Sequence, residues 1–115
     1  MKLYGIKNCD TVKKARAWLD VAGVAHEFHD FKAAGAAPEL VAGWVAARGW
    51  ETVLNRAGTT FRKLDEADKA GIDVDKAITL MIAQPSMIKR PVLVGAELLL
   101  IGFKPGAYAA ALGRD

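Results

Sequence analysis

"GIKNCDTVKKARAWL", residues 5–19, carries the only cysteine of the chain at the point where an apolar run gives way to a helical pattern. Upstream, "KLYGI" (2–6) is short, apolar and aromatic, the composition of a buried strand. Downstream, Val12, Ala15, Leu19 and Ala22 recur at helical spacing, while Lys13, Lys14, Arg16 and Asp20 take the other faces. Cys9 is therefore placed in a strand-to-helix turn. Gly23 ends the helix, and "VAHEFHDF" (24–31) reads as a second strand. A right-handed crossover makes the two strands parallel neighbours.

From residue 32 to residue 89 the pattern turns helical. "KAAGAA" (32–37) reads as a loop, and "PELVAGWVAARG" (38–49) as a helix with Pro38 at its start and Gly49 after its end. "GTTFRKLDEADKAG" (58–71) predicts one short helix, and "DVDKAITLMIAQ" (73–84) another that Pro85 stops. "RPVLVGAELLLIGFKPGAYAAAL" (90–112) offers two short apolar runs around Gly95 to Glu97, then an alanine-rich helix. These elements predict an α/β fold whose four-stranded mixed sheet is interrupted between strands 2 and 3 by a helical insertion over about 32–89. The whole chain, 1–115, is expected to be a single domain.

Composition narrows the chemistry. One Cys and two His, His26 and His29, exclude the common structural zinc arrangements, which need about four N or S ligands. No metal and no tightly bound cofactor is expected. Lys7 and Asp10 break the N-terminal apolar stretch before a signal-peptide core forms, and no run approaches the ~20 apolar residues of a membrane span. The protein is read as soluble and cytoplasmic, in a compartment that keeps thiols reduced. A formal charge of +3 suits anionic small ligands as well as nucleic acid and by itself does not decide between them. Nucleic acid is not the expected partner, since charge of this size is its only sign.

A strand, a tight turn bearing Cys and a helix form the arrangement that activates thiols. Unpaired N–H groups in the first helical turn, with the positive end of the helix dipole, stabilise a thiolate and lower its pKa from about 8.5. Lys7 and Lys13 add to that field. The competing reading is a buried core cysteine; position favours the working thiol. "CDTV" (9–12) has no second thiol, so Cys9 cannot resolve its own mixed disulfide. The resolving sulfur must come from outside.

A second set of residues is cationic: Arg56, Arg62 and Lys63 in "NRAGTTFRKL", Lys89 and Arg90 in "SMIKRPVLV", and Lys104 in "GFKPG". Arg90, held between Lys89 and Pro91 at a strand entrance, stands out from the solvated remainder, because its guanidinium fork suits oxyanions and carboxylates. Pro is admitted at the first strand position, and a cis Pro91 there would turn a backbone edge toward the Cys9 site. Asn8 and Thr11 read as turn formers and candidate hydrogen-bond donors. Trp18, Trp44 and Trp50 read as packing residues in the core or at the insertion's seam. His26 and His29 read as strand-face residues, and "DEADKAGIDVD" (65–75) as a solvated stretch around helix ends.

"LYGIKNCDTVKKARAWL" (3–19), "NRAGTTFRKL" (55–64), "IKRPVLV" (88–94) and "LIGFKPGAY" (100–108) resemble, in this order and spacing, the ArsC/Spx family, and specifically its YffB-like branch. The resemblance covers essentially the whole chain. It implies a thioredoxin-like fold with an inserted helical segment, a single cysteine at the N-terminus of the first helix and a cis proline after the arginine of "KRP". The family's arsenate reductases depend on glutathione and glutaredoxin and surround the anion with three arginines. Carried onto this chain, the nucleophile falls on Cys9 and two of the arginines on Arg56 and Arg90. Lys104 stands where the third is found, keeping the charge but losing the two-pronged geometry. Gly5 replaces a histidine of the reductases.

The resemblance thus implies a glutathione-dependent thiol oxidoreductase with Cys9, Arg56 and Arg90 as catalytic residues. Asn8, Thr11, Arg90, Pro91 and Lys104 would bind the substrate or glutathione. Glutathione is the implied co-substrate, glutaredoxin a candidate partner, and a small oxyanion or a disulfide the substrate. Spx-type members supply the alternative, a regulator that binds RNA polymerase without redox turnover. Val12 replaces the second cysteine of their C-x-x-C switch.

Overall fold

The computed structural model describes residues 1–113; Arg114 and Asp115, the end of the expected domain, lie outside the described residues. The chain divides into two compact units, one formed by Met1–Ala34 with the chain from Arg90 onward, the other by Gly35–Lys89.

The first unit is built on a sheet in the order β2-β1-β3-β4, comprising β1 (Lys2–Gly5), β2 (Glu27–Asp30), β3 (Val92–Val94) and β4 (Leu99–Ile101). β1 pairs with β2 in parallel and with β3 antiparallel, and β3 pairs antiparallel with β4. This is the predicted mixed sheet. Leu3 lies at its centre, opposite Phe28 on one side and Leu93 on the other. Because side chains alternate along a strand, Leu3 points to one face and Tyr4 to the other. Leu3 and Leu93 form a core with Ala15 and Leu19 of α1 (Asp10–Val21) and Tyr108 from the C-terminal helix Pro105–Leu112.

Helix α1 buries Val12, Ala15 and Leu19, the stripe set by its sequence period. It stops at Gly23, whose φ of 72° is favourable only without a side chain. There the Gly23 N–H donates to the Asp20 carbonyl and the Val24 N–H to that of Leu19, closing the last turn.

One expectation is corrected at the insertion's edge. "KAAGAA" does not begin as a loop: residues Phe31–Ala34 form a short helix, α2, packed on β1 and β2. Phe31 is buried, and Asp30 caps the helix by accepting from the N–H groups of Lys32 and Ala33. The compact helical unit that follows spans Gly35–Lys89.

That second unit contains α3 (Pro38–Arg48), α4 (Trp50–Val53), α5 (Thr59–Arg62), α6 (Glu66–Lys69) and α7 (Val74–Ala83), then a single 3-10 turn. One further expectation is corrected here. The single short helix expected over 58–71 is two, α5 and α6, separated by Lys63, Leu64 and Asp65. The sequence gives no sign of α4, since four residues are too few to display a period. Lys76 holds the end of α6 by donating from Nζ to the Ala67 and Ala70 carbonyls, while Asp73 caps α7. Val41, Trp44, Val53, Phe61, Ala77, Met81 and Ile88 are buried. The hairpin and the C-terminal helix of the first unit, α8 (Pro105–Leu112), follow the sequence reading closely.

Candidate active site

Register places the candidate residues of the first unit. Gly5 of β1 pairs with Asp30 of β2, and Tyr4 with Val92 of β3, which itself faces Ile101 of β4. The end of β1 that leads to Cys9, the start of β3 that follows Arg90 and Pro91, and the end of β4 that leads to Lys104 therefore lie at one end of the sheet. The Arg90–Pro91 peptide bond is cis, and the buried Pro91 accepts from the Gly102 N–H through its carbonyl at 2.8 Å.

Cys9 is the N-cap of α1, with extended backbone (φ −95°, ψ 125°) and its N–H donating to the Ile6 carbonyl at 3.3 Å. It is half-buried, neither sealed in the core nor fully exposed. The Nε of Arg90 donates to Cys9 Sγ across 3.5 Å, and the residue caps the first turn of α1, whose Val12 and Thr11 N–H groups favour the ionised sulfur. Partial burial pushes the thiol up. The Arg90 hydrogen bond, the Val12 N–H, the guanidinium charge and the Thr11 N–H together outweigh it, leaving the pKa below the ordinary thiol value.

The helix can approach the strand this closely because Gly5 has no side chain. A Cβ there would stand 2.8 Å from Val12 Cγ2, inside contact distance. Gly5 and Val12, two of the three positions singled out as departures from relatives, are thus one packing pair beneath the Cys9 turn.

The remaining candidates fall as follows. Thr11 is exposed in the first turn of α1 and contributes its N–H, while Asn8 is exposed in the turn with no side-chain bond to Cys9 among the described residues. Lys104 is the exposed N-cap of α8. Arg56 belongs to the helical unit, where its guanidinium lies 5.2 Å from the centroid of the Trp50 ring. His29 stacks on Tyr4 with ring centroids 5.1 Å apart, and Trp18 meets Tyr108 edge-on. Among the described residues, no group of three or more His, Cys, Asp or Glu is arranged to hold a metal ion. None of the described helices is long and apolar enough to cross a membrane.

Asp30 is a residue that sequence reasoning missed. Its Oδ1 accepts from Lys32 and Ala33, and its Oδ2 accepts from the Lys7 N–H at 3.4 Å, within the turn that carries Cys9. The Ala33 N–H, followed by those of Lys32 and Lys7 and the charge of Lys32, holds this carboxyl below the usual carboxylate range against the small cost of burial. The signal available was an Asp at a strand end, two residues before a Lys; it gained meaning only when the parallel register set it beside Gly5.

Sheet order, turn cysteine and cis proline define a thioredoxin-like α/β protein with one thiol at a helix start. More narrowly, the chain belongs to the ArsC family, whose sequence model matches residues 4–111. A solved structure of a YFFB protein is 67% identical, with 96% of this chain and 97% of that one covered and a TM-score of 0.93. The solution structure of an arsenate reductase (ArsC) related protein from Brucella melitensis is 50% identical, covering 96% of this chain and 92% of that one, with a TM-score of 0.77. The global transcriptional regulator Spx of Streptococcus mutans is 27% identical over 98% of this chain and 83% of its own.

Proposed function

We propose that the protein is a glutathione-dependent thiol oxidoreductase, with Cys9 as its nucleophile. The observation that carries this reading is the sulfur at the start of α1, which accepts from Arg90 Nε and whose ionised form the N–H groups of the first helical turn favour. Such a sulfur is ionised at lower pH than a free thiol and is half-exposed to reagents. In the proposed cycle, the Cys9 thiolate attacks the glutathione sulfur of a mixed disulfide. The substrate leaves as its thiolate, and Cys9 is left joined to glutathione. The thiolate of a second glutathione attacks the glutathionyl sulfur, forming glutathione disulfide and freeing Cys9. Net, the mixed disulfide and one free glutathione give the substrate thiol and glutathione disulfide.

Arg90, with Lys104 as a further cation, would hold the carboxylates of glutathione or an oxyanion substrate. Pro91, Asn8 and Thr11 would offer the backbone and side-chain edges beside it. Glutaredoxin is the candidate for carrying off the adduct. No metal or bound cofactor enters this cycle. The likeness to an arsenate reductase related protein supports arsenate as a second substrate class to test.

The test incubates reduced protein with glutathione disulfide, and separately with arsenate, glutathione and glutaredoxin. Wild type, Cys9→Ser and Arg90→Ala are compared. A glutathione adduct on Cys9 and turnover lost in both variants are expected. Slow labelling of Cys9 that neither glutathione nor an oxyanion protects against would overturn the reading.

The Spx relative supports a second reading, a regulator that binds RNA polymerase. Position 12 offers it no switch, since Val12 is a fully buried valine. Recovery of polymerase subunits equally by wild type and Cys9→Ser would favour this reading over the enzyme.

A further inference from the structure

We infer that Asp30 is a positioning residue for the Cys9 thiolate, acting through the backbone of the turn at residues 6–9. The ionised sulfur is favoured by its place at the N-cap of α1 and by the 3.5 Å hydrogen bond from Arg90. That placement depends on the turn, whose internal tie is the 3.3 Å bond from Cys9 N–H to the Ile6 carbonyl. Lys7 and Asn8, its middle residues, are exposed and bury nothing that would anchor them. From outside, the Asp30 carboxylate grips the turn at the Lys7 N–H.

Asp30 can do so because its other oxygen is already fixed. Oδ1 accepts from Lys32 at 2.9 Å and from Ala33 at 3.1 Å, which sets the side-chain rotamer and aims Oδ2 at the turn. The buried Phe31 fixes α2 itself. One carboxylate thereby joins the start of α2 to the loop before α1, two segments that sequence separates and the β1–β2 register brings side by side.

The Asp30→Asn variant separates this role from a purely structural one. The amide oxygen can still accept from Lys32 and Ala33, so the cap on α2 survives. The amide NH2 replaces Oδ2 and meets the Lys7 N–H donor to donor. The neighbouring ionisable groups, Lys7 and Asp10 at the turn, His29 on β2 and Lys32 on α2, are unaltered. Two effects on Cys9 then have opposite signs. Losing a nearby negative charge favours the thiolate, whereas releasing the turn disfavours it.

The readout is the pH dependence of iodoacetamide alkylation of Cys9 in the full-length protein, with circular dichroism as a check on folding. Alkylation in place of turnover makes the result independent of whether the proposed glutathione cycle is right. The expected result is a midpoint moved to higher pH in Asp30→Asn, with alkylation near neutral pH slowed about threefold, as fits the loss of one long hydrogen bond. Asp30→Glu, which keeps a charged carboxylate on a longer arm, is expected to recover the wild-type profile at least in part. A midpoint in Asp30→Asn that is unchanged or moves to lower pH overturns the inference, as does Asp30→Glu behaving like Asp30→Asn.

Discussion

Arg90 Nε and Cys9 Sγ, 81 residues apart in the chain, are joined by a hydrogen bond of 3.5 Å. The antiparallel pairing of β1 with β3 makes the contact, since it sets the strand that precedes Cys9 beside the strand that follows Arg90.

Removing the guanidinium should leave the thiol less ionised. Charge-assisted hydrogen bonds contribute about 1.5–3 kcal/mol, and partial exposure of this one reduces that. Arg90→Ala is expected to slow Cys9 alkylation near neutral pH by about tenfold, a loss near 1.4 kcal/mol. Arg90→Lys retains charge without the fixed fork and should fall between the two. Rates of iodoacetamide labelling read at several pH values decide the order.

The same lowered pKa couples Cys9 to stability. In the folded protein the thiol ionises below its ordinary value, so the thiolate contributes stability fully above the unfolded pKa and loses it as pH falls through the folded pKa. Wild type should therefore gain stability relative to Cys9→Ser as pH rises through that window. Urea unfolding of both proteins at a series of pH values measures the difference; a gap that shrinks with rising pH would contradict it.

Gly5→Ala sets a methyl group against Val12. With Cγ2 at 2.8 Å and Cγ1 at 3.2 Å, either the helix or the valine must shift, at a cost of about 1–3 kcal/mol by analogy with overpacked cores. Val12→Ala in the same chain removes the offending methyls, so the double variant should be more stable than the two single losses added together. A thermal-unfolding cycle over the four proteins gives the coupling.

Tyr108 presents the opposite problem. Its hydroxyl is buried without a hydrogen-bond partner among the described residues, and burial pushes its ionisation far above the usual range. The ring is well used, packing edge-on against Phe103 at 4.7 Å and Trp18 at 5.6 Å. Tyr108→Phe is expected to be neutral or stabilising by up to about 1–2 kcal/mol, since it removes only the unsatisfied group. Tyr108→Ala should cost about 3–5 kcal/mol through the cavity it opens. Denaturant midpoints for the two variants check both.

Elements that are legible in sequence are those whose signal is local. The stripe of Val12, Ala15 and Leu19, the stop at Gly23, the Pro38 start and the hairpin around Gly95 each reflect a period or a backbone restriction that a few residues express alone. The four-residue helices α2 and α4 give no such signal, because one turn is too short for a period and their stability comes from burying Phe31 and Val53.

By itself the sequence determined that one thiol would stand at a helix start after a strand, since strand, turn and helix there are neighbours in the chain. It also marked Arg90 and Pro91 as a pair at a strand entrance. Only the tertiary structure decided that Arg90 donates to that sulfur, that Gly5 makes room for Val12, and that Asp30 reaches the Lys7 N–H. The physical reason is common to all three. Each joins groups whose distance is fixed by register and packing between elements, and one residue of slip along a strand, about 3.3 Å, exceeds the tolerance of a hydrogen bond.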